Sequence, residues 1–502
     1  MSHILWWLSK ARSSKNQSRK LAEKEKNMKI LFVASEAMPF IRTGGLGDVA
    51  GALPQSFLKQ GHDARVIIPF YKEEIKPTFR DTLRFVGSTT VELGWRNQYC
   101  GVYEAVYDGI TYYFVDNEYY FKRKGLYGHF DDGERFAFFS KAVLEVLGIV
   151  DFFPDILHAN DWHTAMTPVY LDVNYRFDER YQNIKTVFTI HNIEFQGKYD
   201  PYILGDVLGL PEWAHNLVLN DGCVNFMKGG IESSAVVTTV SDTYATEILD
   251  PFYSYGLDSI LSERRYKVHG VVNGIDTKLY DPAKDKSLFV NYTAKTVAEK
   301  KKENKKAICE MLNLSYDENR PMIAMVTRLT EQKGLDLVGA VIDEIMRADV
   351  QVVILGTGDW KYENLVKRVE NDYPNKFRGI LQFSSDLASK LYGASDLFLM
   401  PSKFEPCGLS QMIAMRYGSI PIVRETGGLK DTVEAYNHET KEGKGYTFKT
   451  YNSYDMLDAV WRAYACFFDK ENWAKVTENA MKGDYGWDAS AKKYIKIYKN
   501  IK

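Results

Sequence analysis

The chain has 502 residues, 45% of them apolar and 26% charged, with a formal net charge of −2. One hydrophobic core stops growing near ~250–300 residues, so this length argues for two domains. The near-neutral balance excludes a general attraction to nucleic acid or to a membrane surface, and no apolar run approaches the ~20 residues of a membrane-spanning helix. The five cysteines (Cys100, Cys223, Cys309, Cys407 and Cys466) are scattered without a C-x-x-C pair. That usage suits a reducing cytoplasm rather than a disulfide framework.

The chain opens with MSHILWWLSKARSSKNQSRKLAEKEKN, where seven cations against Glu23 and Glu25 give a net +5. Residues 1–27 are expected to be a disordered basic extension before a second start at Met28. The alternative is a peripheral membrane contact through Ile4–Leu8 and the following cations. From Met28 short apolar runs alternate with helical stretches: KILFVAS (29–35), ARVIIP (64–69), DILHAN (155–160), KTVFTI (185–190) and AVVTTVS (235–241). A lysine-rich segment, 295–306, precedes a second series: MIAMVTRL (322–329), VQVVILGTG (350–358), DLFLMPS (396–402) and SIPIVRETGG (419–428). Runs of this kind predict buried parallel strands, and two series predict two doubly wound α/β domains. The expected division is 28–268 for the first domain and 269–483 for the second, with 484–502 as a terminal amphipathic helix. A ligand is expected in the cleft at the carboxyl ends of both sheets.

Within FIRTGGLGDVAGALP (40–54), Gly45 to Ala50 fits the dinucleotide pattern G-x-G-x-x-G/A. That pattern requires its first glycine directly after the strand and an acid at the end of the second strand. Here the strand ends near Ser35, and Pro69 and Phe70 occupy the place of the acid. A phosphate grip fits better: Gly44 and Gly45 expose bare N–H groups, a helix starting near 46–48 aims its positive end at an anion, and Arg42 adds a cation. A glycine turn that only packs helix on strand is the plainer alternative. In TRLTEQKG, Arg328 and Lys333 emerge after a buried strand and suit a diphosphate, although such residues usually form a solvated loop. In PSKFEPCGLSQM (401–412), Glu405 is either a ligand for sugar hydroxyls or a helix-capping acid. The N–H groups of Gly408, Leu409 and Ser410 open the next helix towards phosphate or ribose.

Taken together, RTGGLGDVAGALP, HANDWHTAMTP, TIHNIEFQG, VVNGID, TRLTEQKG and SKFEPCGLSQM resemble the bacterial glycogen synthases and plant starch synthases of glycosyltransferase family 5. The likeness runs in order from Lys29 to the C-terminus. It implies the GT-B fold, two Rossmann-like domains facing a cleft, and transfer of glucose from ADP-glucose to the non-reducing 4-OH of an α-1,4-glucan with retention. Arg42, where the family usually has Lys, would meet the donor diphosphate with Gly44, Gly45, Gly408, Leu409 and Ser410. Arg328 and Lys333 would stabilise charge on the departing phosphate, and Glu405 would bind the glucose 3- and 4-hydroxyls. His191 matches the family's essential histidine, near the glucose C6 hydroxyl. Glu36, Asp161, Trp162, His163 and Asn192 would line the sugar and acceptor side, and Asn273, Phe383 (against adenine) and Cys407 the donor side. The resemblance implies no metal and no cofactor, and front-face attack with the leaving phosphate taking the acceptor proton. The final helix would cross back to the first domain. A UDP-glucose transferase, a non-catalytic glucan-binding relative and a phosphorylase are the rival readings.

Overall fold

The computed structural model describes residues 27–501, so the basic extension lies outside the described residues except for Asn27. The first sheet has nine strands. In chain order they are β1 (Lys29–Val33), β2 (Asp63–Pro69), β3 (Arg84–Leu93), β4 (Arg96–Tyr107), β5 (Ile110–Asp116), β6 (Ile156–Asn160), β7 (Lys185–Ile190), β8 (Val236–Thr239) and β9 (Val268–Gly270). Their spatial order is β9-β8-β7-β6-β1-β2-β5-β4-β3. Strands β9 to β5 in this order pair in parallel, and β4 and β3 extend the sheet antiparallel. The second sheet is parallel throughout, with six strands: β10 (Met322–Val326), β11 (Gln351–Leu355), β12 (Phe377–Ile380), β13 (Leu397–Met400), β14 (Ile420–Arg424) and β15 (Tyr446–Phe448). Its order is β12-β11-β10-β13-β14-β15.

The predicted apolar runs form strands because each is buried on both faces, as in β1 and β6. The same criterion passes over β3 and β4, whose burial alternates between exposed and buried positions because one face meets solvent. The lysine-rich segment is a helix, Val297–Met311, with two lysines inside the second domain. Lys301 Nζ donates to the carbonyls of Tyr392 and Tyr417, and Lys305 Nζ lies 2.7 Å from Asp396 Oδ2. A charge run thus conceals an amphipathic face.

The strand β9 straddles the expected division at 268/269 and pairs with β8, so the first sheet ends at Gly270. The chain then crosses to the second domain and returns near 484–487. The two passages touch back to back, since a Cβ at Gly274 would lie 2.7 Å from the backbone of Gly486. The returning helix, Trp487–Lys499, lies on the first domain. Ser56 Oγ donates to Asp488 Oδ1 at 3.0 Å, Tyr494 meets the ring of Phe57, and Tyr498 OH pairs with the buried His158 Nδ1 at 2.7 Å. Among the described residues no helix is long and apolar enough to cross a membrane.

Candidate active site

The parallel part of each sheet has one point where the strand order reverses, and loops at the carboxyl ends there diverge to leave a crevice. In the first sheet that point lies between β1 and β6, and in the second between β10 and β13. The first delivers Glu36 and Asp161, with His191 one strand further on. The second delivers Arg328, Lys333 and Glu405. The two crevices are closed on each other: a Cβ at Gly45 would lie 4.0 Å from Leu409 Cδ1, and Ser241 Oγ donates to the Pro406 carbonyl at 2.7 Å. Glu247 of the first domain accepts from Thr426 Oγ1 and from Gly427 N, where a second T-G-G motif opens the helix Gly427–Thr432.

The predicted helix start near 46–48 is corrected to Gly45, with Gly44 as its N-cap in extended conformation. Some of the N–H groups of this turn are engaged by the protein itself. Glu36 accepts from Thr43 N, Thr43 Oγ1 and Gly47 N, and burial pushes its carboxyl above the usual range. Arg42 is likewise paired within the loop, its Nη1 lying 2.6 Å from Asp48 Oδ1, with the Tyr280 hydroxyl of the second domain also bonded to it. The glycines differ in what they answer to. At Gly47 a Cβ would collide with Arg42 Cγ at 2.8 Å, and at Gly51 with Met38 Cβ at 2.7 Å and the Met38 carbonyl at 2.8 Å. At Gly44 and Gly45 the nearest atoms are 3.8 and 4.0 Å away, ordinary contact distances.

Asp161 has φ 57° and ψ 175°, a region nearly confined to glycine, which costs of order 1–3 kcal/mol and persists only where the surroundings enforce it. Its Oδ1 accepts from His191 N at 2.8 Å, the backbone N–H of Asn192 also donates to it, and its own N–H donates to the Thr189 carbonyl. Burial, with Glu36 nearby, raises its carboxyl to about 7. His191 is half-buried, its Nε2 2.9 Å from Asn160 Oδ1, and desolvation pulls its imidazole down to about 3. The ring is therefore neutral.

Trp162 lines a cavity of about 330 Å³ with Glu194, Phe195, Gln196 and Tyr255. Its ring packs over Gly197, whose place no side chain could take. His163 does not face that cavity with it: the ring is buried among Tyr127, Phe136 and Trp162 and is held neutral, down to about 3, by burial. Its Nδ1 is buried and has no hydrogen-bond partner among the described residues. Asn192 Oδ1 accepts from Glu194 N, which shapes the loop bordering the same cavity. A second cavity of about 360 Å³ lies under the terminal helix, lined by Asp242, His269 and Lys493.

On the opposite side, Lys333 Nζ lies 2.6 Å from Glu405 Oε2, with side chains 15% and 9% exposed. Ser402 Oγ donates to the same oxygen at 3.0 Å, which leaves Oε1 as the oxygen available for a hydroxyl. Arg328 is exposed and its Nη2 donates to Gln332 Oε1 at 3.3 Å. Gln332 in turn is held by the Phe404 carbonyl. Gly408 needs its φ of 71°, and it ends the loop before Leu409 and Ser410 start the helix Ser410–Arg416. Asn273 is buried, and its Oδ1 accepts no hydrogen bond among the described residues. Its N–H faces the thiol of Cys407, which burial raises to about 12 and keeps unreactive. Phe383 stands apart from this cluster in its own contacts, 84% exposed on the loop after β12.

Sequence reading did not single out Asp48, Asn160, Ser402, Gln332 or Tyr127. The last contacts Ser35 Oγ through its hydroxyl at 2.8 Å and stacks near His163. Asn160 and Ser402 stood inside quoted motifs, and their polarity at the end of a buried strand was the available signal. Asp48 and Gln332 also stood inside quoted motifs and Tyr127 did not, but none of the three ends a buried strand, and each matters through a partner brought by the fold.

Residues 29–263 match the family described as the starch synthase catalytic domain, and 313–480 match glycosyl transferases group 1. A glycogen synthase of Clostridium acetobutylicum is 51% identical over 94% of this chain and 100% of its own length. One from Anoxybacillus flavithermus is 49% identical over 94% and 98%. The chain belongs to the glycogen and starch synthase family. As a family member it is a hexosyltransferase with the GT-B architecture. The catalytic domain of starch synthase IV from Arabidopsis thaliana, solved with ADP and acarbose, superposes with a TM-score of 0.87 at 33% identity, covering 94% of this chain and 99% of that one.

Proposed function

We propose that this chain is a glycogen synthase that transfers glucose from ADP-glucose to the non-reducing 4-OH of an α-1,4-glucan with retention of configuration. The observation that carries this reading is the facing pair of crevices, one with the neutral His191 over a rigid Asp161, the other with Lys333 and Glu405 locked together. The glycines add to it. Neither packing nor backbone conformation requires glycine at 44 or 45, so a ligand's close approach is the remaining physical reason for it.

In this reading the donor diphosphate lies between the Gly44–Gly45 turn with Arg42 and the pair Arg328 and Lys333. As the bond from the anomeric carbon to the β-phosphate oxygen breaks, its electron pair stays on that oxygen, where fixed cations stabilise the charge. Glu405 Oε1 accepts from the glucose 3- and 4-hydroxyls, and the pair with Lys333 ties sugar and phosphate recognition into one unit. Asn273, Cys407, Gly408, Leu409 and Ser410 line the nucleotide side, with Phe383 against adenine after a loop movement. The acceptor enters along Trp162 and Asn192. Its 4-OH attacks from the face the phosphate leaves, and the proton passes to the leaving phosphate, so no enzyme acid is required at His191. Five free thiols support a cytoplasmic enzyme.

The test is glycogen-dependent release of nucleoside diphosphate, with ADP-glucose and UDP-glucose compared. Rapid ADP release, lost in Lys333→Ala and Glu405→Ala, supports the reading. UDP release overturns the donor. Glycogen binding with no release from either donor overturns the activity.

A further inference from the structure

Asn160 ends β6, one residue before the strained Asp161, and is wholly buried. Its Nδ2 donates to two main-chain carbonyls, Val33 at 3.0 Å and His158 at 3.1 Å. A carbonyl oxygen only accepts, so these contacts decide which end of the carboxamide is nitrogen. The oxygen is thereby turned to His191 Nε2, 2.9 Å away. A neutral imidazole has one N–H, and opposite an obligate acceptor that hydrogen stands on Nε2. The lone pair is then on Nδ1.

We propose that Asn160 is a positioning residue that locks His191 as its Nε2–H tautomer, so that the ring offers Nδ1 as a hydrogen-bond acceptor to a hydroxyl of the transferred sugar. The ring is thereby a fixed acceptor and never a proton donor through Nδ1. Only the identity of that hydroxyl rests on the glucosyl transfer proposed above; the tautomer does not.

The groups around the ring are consistent with one uncharged state. Asp161 spends its carboxylate on the main-chain N–H groups of His191 and Asn192, not on the imidazole. Glu36 is occupied by Thr43 and Gly47. The neighbouring His158 is itself neutral, held between Tyr498 OH and Thr189 Oγ1. The Tyr244 hydroxyl accepts from Ile193 N. None of these gives His191 an acidic partner at its ring nitrogens. The Asn160 amide is anchored at both ends, which a water or a hydroxyl in its place would not be: a hydroxyl rotates and could donate to Nε2, reversing the tautomer.

The experiment uses the full-length enzyme labelled with 15N-histidine. The signals of His191, one of nine histidines, are identified by their loss in His191→Gln. The expected result is a pyrrole-like Nε2 and a pyridine-like Nδ1, unchanged from about pH 5 to 9, where an ordinary histidine would titrate. A pyridine-like Nε2, or two protonated nitrogens at neutral pH, overturns the proposal. In Asn160→Leu, which keeps the branching without the oxygen, the single-tautomer signature is lost and kcat falls on the order of tenfold, the worth of one buried hydrogen bond, with the glucan KM unchanged. Retention of both signature and kcat in that variant overturns the proposal as well. Should Asn160→Leu not fold, the wild-type spectrum decides alone. A wild-type enzyme with the expected spectrum but no turnover of ADP-glucose would remove the functional reading and leave the tautomer lock standing.

Discussion

Lys333→Met separates two roles that one lysine combines. In the native enzyme its ammonium lies 2.6 Å from Glu405 Oε2, and the two side chains are 15% and 9% exposed. Removing one partner of a buried pair costs about 3–5 kcal/mol, chiefly because the other charge stays buried. Ser402 still donates to Glu405 in the variant, and Lys333 keeps some solvent contact, so the lower end, about 3 kcal/mol, is expected. Loss of a fixed charge opposite the leaving phosphate lowers kcat by about 10²–10³-fold. Glu405→Gln removes the buried charge and retains an acceptor for Ser402. The double variant Lys333→Met/Glu405→Gln therefore regains most of the lost stability, a coupling of about 2 kcal/mol. It regains no activity, because the cation at the phosphate is still missing. Urea unfolding of the four proteins measures the first quantity, and initial rates of ADP release measure the second. Additive stability losses, or activity returning with stability in the double variant, would refute the reasoning.

Gly44→Ala and Gly45→Ala should leave the melting temperature nearly unchanged and raise the donor KM, because a Cβ there meets nothing closer than 3.8 Å. Gly51→Ala should instead cost about 1–3 kcal/mol by overpacking against Met38, which thermal unfolding would show. Asp161 has its folded value near 7, above the ordinary 3.8, so its contribution to stability is fully present below about pH 3.8 and lost as the pH rises through about 7. Asp161→Asn cannot ionise, so between those limits its stability should rise relative to wild type by up to about 4 kcal/mol; parallel pH–stability curves would contradict this. Tyr498→Phe deletes the 2.7 Å bond to buried His158 and should destabilise the protein by about 1–2 kcal/mol in chemical denaturation, without a change in donor KM.

Much of the fold is legible in the chain because parallel strands buried on both faces must be continuous apolar runs, as in Ile30–Val33 and Ile420–Val423. The antiparallel extension β3–β4 is not, since its half-exposed residues alternate and leave no such run. Lys301 and Lys305 mislead for a related reason: a lysine is read as solvated, yet both reach carbonyl and carboxylate acceptors in the interior. In the site, Arg42, Lys333, Glu405 and His191 declare themselves by charge and by motif. Which of them pair does not. Arg42 is turned to Asp48 and Tyr280, and Glu36 accepts from Thr43 and Gly47 on either side of the glycine pair.

The sequence by itself determined two doubly wound domains, the chemical identity of the site residues and the family, because periodicity and motif spacing are properties of the chain read locally. The tertiary structure alone decided that His163 packs while Trp162 lines a cavity, that Lys333 and Glu405, 72 positions apart, form one ion pair, and that Asn160 faces His191. Those relations depend on the order of strands and on the closure of one domain against the other. Loops distant in the chain meet only at the carboxyl ends where each sheet reverses, and there a side chain's partner is set by geometry rather than by its neighbours in sequence.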